Sequence, residues 1–248
     1  MRTLRHLRLA AFATFAALAA GCSDSTGPSN VQPADLSQVL AELQPSSLAP
    51  LNAQISAAPV AGLSAPVPSS CSYDATSKSF ICPNVSVTGV NVSRSFTLFD
   101  ASGNKQTAFD KTTTAAVEMK TTFAGTVTSG GSTLVIDQQQ DVTLSGLLTG
   151  AHTLNGTSLG HMNGTVANGT TTVPVATTIS TTITNLVLPQ AGAKYPQSGT
   201  ISATITNAPA GLPSTTATVT ITFNGTSKAN VSVTMAGITT TTTVDLGA

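Results

Sequence analysis

Several stretches of the chain carry residue types that perform chemistry in enzymes. Gly156-Thr157-Ser158-Leu159-Gly160 fits the G-x-S-x-G spacing of a hydrolase nucleophile elbow, and His161 follows it directly. Such an elbow needs a strand, a strained turn and a helix, then an acid and a histidine later in the chain to activate the serine. Asp245 is the only acid downstream and no histidine follows His161, so glycines and hydroxyls in a long strand are expected instead. Ser102-Gly103-Asn104-Lys105 fits S-x-x-K, which opens a helix in penicillin-binding enzymes. It lies in turn-forming residues from Asp100 to Lys105 without its companion motifs, and reads as a hairpin tip. His152 and His161 are nine residues apart, so an unbroken strand points them to opposite faces and they share no ligand. Asp137 and Asp141 have no evident partner and read as solvated acids at strand ends. The sequence therefore offers no catalytic residue, no metal site and no cofactor site, and it reads as a non-enzyme.

Cys71 and Cys82 enclose ten residues. Pairing across a hairpin sets Tyr73 opposite Phe80 on one face and leaves Ala75 to Lys78 as the turn. A disulfide is the natural state of such a pair outside the cytoplasm. A metal site is the rival, but it needs further Cys or His ligands, and the next histidine, His152, lies 70 positions beyond Cys82.

The elements that must position these residues begin with an export segment. Arg2, Arg5 and Arg8 stand without an acid among the first eight residues, and an apolar and small-residue run extends from Leu9 to Ala20. This is a charged n-region and an h-region, too short for the roughly 20 residues of a spanning helix. The junction Leu18-Ala19-Ala20-Gly21-Cys22 resembles the lipobox of bacterial lipoproteins. That resemblance implies a signal peptide over 1–21, acylation of Cys22 after cleavage, and a membrane held through acyl chains as the chain's first partner. Ser23, rather than Asp, after the cysteine implies delivery to the outer membrane of the cell envelope. An ordinary secretory signal with an incidental cysteine is the alternative.

Without the signal the chain has seven Lys or Arg (10 − 3) against ten Asp or Glu, a net charge of −3. No basic patch is present for nucleic acid. Of 43 Thr, 37 follow position 100, where β-branched residues fit a pleated surface and disfavour helix. Residues 22–33 are Ser-, Gly- and Pro-rich and read as a tether. Over 34–70, Leu36, Val39, Leu40 and Leu43 fall at helical spacing, predicting a helix at 34–44; a second short one is expected from about Leu48 to Ile55, then a Pro-rich linker.

Residues 71–248 are expected to form a Thr-rich antiparallel β domain. Val90, Val92, Phe96 and Leu98 alternate on one face, with a bulge expected at Gly89 to bring Val85 and Val87 onto the same side. Val117, Met119, Phe123 and Val127 alternate likewise, as do Ile201, Ala203 and Ile205; Ala217, Val219, Ile221 and Phe223; and Ala229, Val231, Val233 and Met235. Val175, Ile179, Ile183 and Val187 should all face the core, and Thr178, Thr182 and Thr184 the solvent. Turn residues between the runs make about ten strands in a meander. The fold class is all-β: a wide curled antiparallel meander sheet, an open half-barrel or a sandwich, with one or two short N-terminal helices.

Two functions suit this layout. One is a non-enzymatic binding or carrier module, its apolar sheet face taking a hydrophobic small molecule. The other is a structural or adhesive surface protein, with a hydroxyl-rich outer face. An outer-membrane pore is a third, but it would carry aromatic girdles, and the chain without its signal has six Phe, two Tyr and no Trp.

Overall fold

The structure, a computed structural model, describes residues 67–246 apart from 88, 169, 170, 191, 192 and 212. The lipobox with Cys22, the tether and the two expected helices lie outside the described residues. Within them the chain is all-β, as the Thr-rich alternation requires.

Thirteen strands are described: β1 (Ser72–Asp74), β2 (Ser79–Ile81), β3 (Val85–Val87), β4 (Val90–Asp100), β5 (Lys105–Gln106), β6 (Thr114–Ser129) and β7 (Ser132–Ser145). They continue as β8 (Thr153–Asn168), β9 (Thr171–Val187), β10 (Ser198–Asn207), β11 (Thr215–Phe223), β12 (Lys228–Met235) and β13 (Ile238–Asp245). All belong to one open antiparallel sheet, not closed into a barrel, in the order β1-β2-β4-β6-β7-β8-β9-β10-β11-β12-β13. β3 and β5 pair with β4, beside the place where β2 joins it.

The register puts the expected apolar residues opposite one another. Leu98 pairs with Val117, Val117 with Leu144, and Leu144 with Leu154. Further along, Ile183 pairs with Ile201, Ile201 with Ile221, and Ile221 with Val231. We call this the inner face. Its largest cluster runs from Val142 and Leu144 through Leu154, Leu186 and Leu188 to Val231 and Val233. Leu186 and Val233 are fully buried, and each such side chain contributes about 1.5 to 3 kcal/mol relative to exposure.

The strand count exceeds the expected ten because the edge of β4 is built from short pieces and because β13 carries hydroxyls on both faces. Two further expectations need correction. Gly89 makes no bulge: Val87 pairs with Val90, so Gly89, at φ 84°, sits in the hairpin turn that joins them. That turn does place Val85 across from Val92, but Val85 is 55% exposed and is no part of the core. The second correction concerns Val187. Thr184 and Asn185 on β9 both fall between the paired residues that on β8 enclose only Asn155, so β9 carries a bulge there. Asn185 takes the left-handed conformation at φ 48°, and its amide donates to Asn155 Oδ1 at 2.7 Å. The bulge shifts the strand by one residue, so Leu186 and Leu188 are buried in place of Val187.

Glycines make this crease possible. A Cβ on Gly199, on the next strand at φ 106°, would lie 2.4 Å from the Asn185 carbonyl oxygen. A Cβ on Gly156 would lie 2.4 Å from the Asp141 carbonyl oxygen, so β8 approaches β7 as only glycine allows.

Candidate functional site

The inner face is not apolar throughout. Leu134, Ile136, Val142 and Leu144 alternate along β7, but the two positions between them in the same phase are Gln138 and Gln140. The register extends this interruption across the sheet. Arg94 lies opposite Thr121, Thr121 opposite Gln140, Gln140 opposite Ser158 and Ser158 opposite Thr181. Four strand spacings of about 4.8 Å make this polar row about 19 Å long.

Beside it Gln138 Nε2 donates to Ser158 Oγ at 3.1 Å, and Gly160, opposite Gln138, has no side chain to fill the surface. Deeper in the same face the Thr177 hydroxyl donates to Asn207 Oδ1 at 3.3 Å, and both residues are buried. Arg94 is exposed and has no carboxylate partner among the described residues.

The two sides of this belt differ. On one lies the tightly packed cluster around Leu154 and Leu186. On the other, Met162 and Val175 are buried, while Phe123, Val127, Leu134, Ile136 and Val166 remain half-buried. Polar side chains thus border an incompletely covered apolar surface, a combination that suits a ligand with an apolar body and a polar end.

Comparison with family models, characterised proteins and solved structures finds no match for this chain. Its function has to be argued from the geometry.

The other sequence candidates fall elsewhere. Cys71 and Cys82 form a disulfide, with Tyr73 opposite Phe80 and their rings edge to face at 5.3 Å, as the hairpin reading required. Gly156 to Gly160 lie within β8, so Ser158 is a strand residue and not an elbow nucleophile. Ser102 to Lys105 form the β4–β5 turn, in which Asp100 accepts from the amides of Ser102 and Asn104. His152 precedes β8, and His161 sits on the outer face with Nδ1 3.1 Å from Thr178 Oγ1.

Asp137 and Asp141 are mid-strand on the outer face, not at strand ends, and Asp141 does have a partner. Its carboxylate lies 3.1 Å from Lys120 Nζ, which is also 3.5 Å from Glu118. The hydrogen bond to Asp141 and the charge of Glu118 raise the Lys120 pKa; exposed as it is, this trio adds little stability. Among the described residues no three His, Cys, Asp or Glu converge as metal ligands, and no helix is long and apolar enough to cross a membrane.

Sequence reasoning missed Arg94, Gln138 and Gln140. The signal was available in Gln138-Gln139-Gln140, which sets two amides at core-phase positions of a strand. A polar residue in that phase costs stability unless it is satisfied, so its presence marks a surface that has to remain polar.

Proposed function

We propose that the protein is a bacterial envelope lipoprotein, anchored through acyl chains on Cys22 and carried to the outer membrane. Its β domain serves as a non-enzymatic binding or carrier module for a hydrophobic small molecule with a polar end. The observation that carries this reading is the row Arg94-Thr121-Gln140-Ser158-Thr181 beside half-buried Phe123, Leu134 and Ile136. The apolar body of the ligand lies along the half-buried residues and its polar end meets the row, with the Arg94 guanidinium suited to an anionic head.

A second reading, a structural or adhesive surface protein, is favoured by the outer face. There Ser202 and Thr220, Thr204 and Thr218, and Thr206 and Thr216 pair hydroxyl to hydroxyl at 3.2 to 3.4 Å, an uncharged surface suited to polar contacts with another macromolecule.

Organic extraction of the purified protein, followed by mass spectrometry, separates the two. The binding reading expects a stoichiometric lipid-like species, reduced several-fold by Gln138→Leu together with Arg94→Gln; a parent protein that yields none overturns it and leaves the adhesive reading. The anchor is tested independently. Cys22→Ser should abolish labelling by a radioactive fatty acid and move the protein to the soluble fraction, because acyl chains supply about 0.8 kcal/mol of membrane affinity per buried methylene. A Cys22→Ser chain that stays with the membrane would refute the lipobox assignment.

A further inference from the structure

Among the described residues, β13 ends the sheet's path, hydrogen-bonded to β12 on one side only. Over Ile238–Val244 of its eight residues, Ile238-Thr-Thr-Thr-Thr-Thr-Val-Asp245, it carries none of the usual obstacles to edge pairing: no proline, no charged side chain, no bulge in its ladder with β12. The strand is long and β-branched from Ile238 to Val244, and its apolar end residue Ile238 is 45% exposed.

The sequence is also self-complementary. Alternate residues Ile238, Thr240, Thr242 and Val244 share the inner face with Met235, Val233, Val231 and Ala229, their partners on β12. Thr239, Thr241 and Thr243 share the outer face, where Thr239 and Thr243 are already bound to Thr234 and Asn230. Directly opposed residues of an antiparallel pair lie on the same face. A two-fold axis through Thr241, normal to the sheet, therefore sets Thr241 against itself, Thr240 against Thr242, Thr239 against Thr243 and Ile238 against Val244. Every pair matches in polarity, and Asp245 falls outside the paired span.

We propose that β13 is a homodimer interface, two copies joining antiparallel into one continuous sheet centred on Thr241. The contact is isologous and consumes the edge it uses. The opposite edge is built from β1, β2, β3 and β5, each of two or three residues, so assembly stops at two copies.

The test uses the full chain in detergent. Sedimentation should give a dimer whose dissociation follows protein concentration. Thr241→Lys, which sets two ammonium groups face to face across the axis, should give a monomer with unchanged far-UV circular dichroism and with the denaturant midpoint that the parent shows when diluted to monomer, since dimerisation itself raises the midpoint by mass action. Mild oxidation of Thr241→Cys should give a covalent dimer at least tenfold faster than oxidation of Thr239→Cys, whose thiols lie four residues out of register. A monomeric parent, a persistent Thr241→Lys dimer, equal cross-linking at both positions or growth into filaments would each overturn the proposal. A monomeric parent would leave the edge to a strand of another protein.

Discussion

The two edges of the sheet are finished in opposite ways. At one, the long strand β4 is covered by β3, β2 and β5 in succession, pairing with Val92, Phe96 and Leu98. β1 is added beyond β2, the Cys71–Cys82 disulfide ties the hairpin's ends, and Lys105 Nζ donates to the Ser77 carbonyl from across the edge. At the other, β13 is a single uninterrupted strand whose turn, Ala236-Gly237, leads straight back onto β12. The first edge stops strands from adding, and the second is built to accept one. A protein that needed only to avoid association would have blunted both.

The largest expected effect separates the edges through the disulfide. Cys71 and Cys82 pack, with Phe80 and Phe109, against Phe96, Leu98 and Val117, so the bond both closes a loop and holds the hairpin on that cluster. Replacing both cysteines with Ala should lower stability by about 2 to 3 kcal/mol in a denaturant titration, mainly by freeing the unfolded chain. Hydrogen exchange should quicken at Tyr73, Phe80 and Ile81 and stay unchanged along β11 to β13. Equal acceleration at both edges would show that the sheet behaves as one cooperative unit and that the contrast between its edges is only structural.

The edges were also unequally legible in the sequence. The disulfide hairpin could be read because two cysteines, two aromatic residues and a turn agreed on one register. β13 was missed because Thr240 and Thr242 carry hydroxyls in the buried phase, so the alternation that marks a half-buried strand is absent. Its turn hides as well, since Ala236 occupies at φ 50° a position where Asn, Asp or Gly is the usual sign. The same physics concealed the bulge on β9: Asn185, not glycine, adopts the left-handed conformation, stabilised by Asn155 from the neighbouring strand. Central strands such as β11 and β12 were read correctly, because Val219, Ile221, Val231 and Val233 bury one phase and leave hydroxyls in the other. The polar row of the candidate site was invisible as a group, since Arg94 and Ser158 come together only through the pairing of four strands.

A smaller effect should appear in acid. Asp74 and Asp100 end β1 and β4, and Asp110 lies between β5 and β6, all close to the closed edge, and hydrogen bonds hold each carboxyl below its ordinary value of 3.8: first from the Ser77 hydroxyl to Asp74, from the Asn104 side chain to Asp100, and from the Thr112 hydroxyl to Asp110. A carboxyl with a lowered folded-state pKa contributes stability above its unfolded value, and that contribution is lost as pH falls through the folded value. The loss is therefore confined to the window below about pH 4 and should be absent at neutral pH. Asp110 is exposed and Asp74 and Asp100 are half-exposed, so the effect is local: amides of the β1–β2 and β4–β5 turns should lose protection on acidification, while the Ala236-Gly237 turn, which has no carboxylate, keeps its own. Asp100→Asn should remove the pH dependence at Ser102 and Asn104 alone. If the β12–β13 turn loosens over the same window, the acid response belongs to the whole sheet and not to the carboxylates that finish its closed edge.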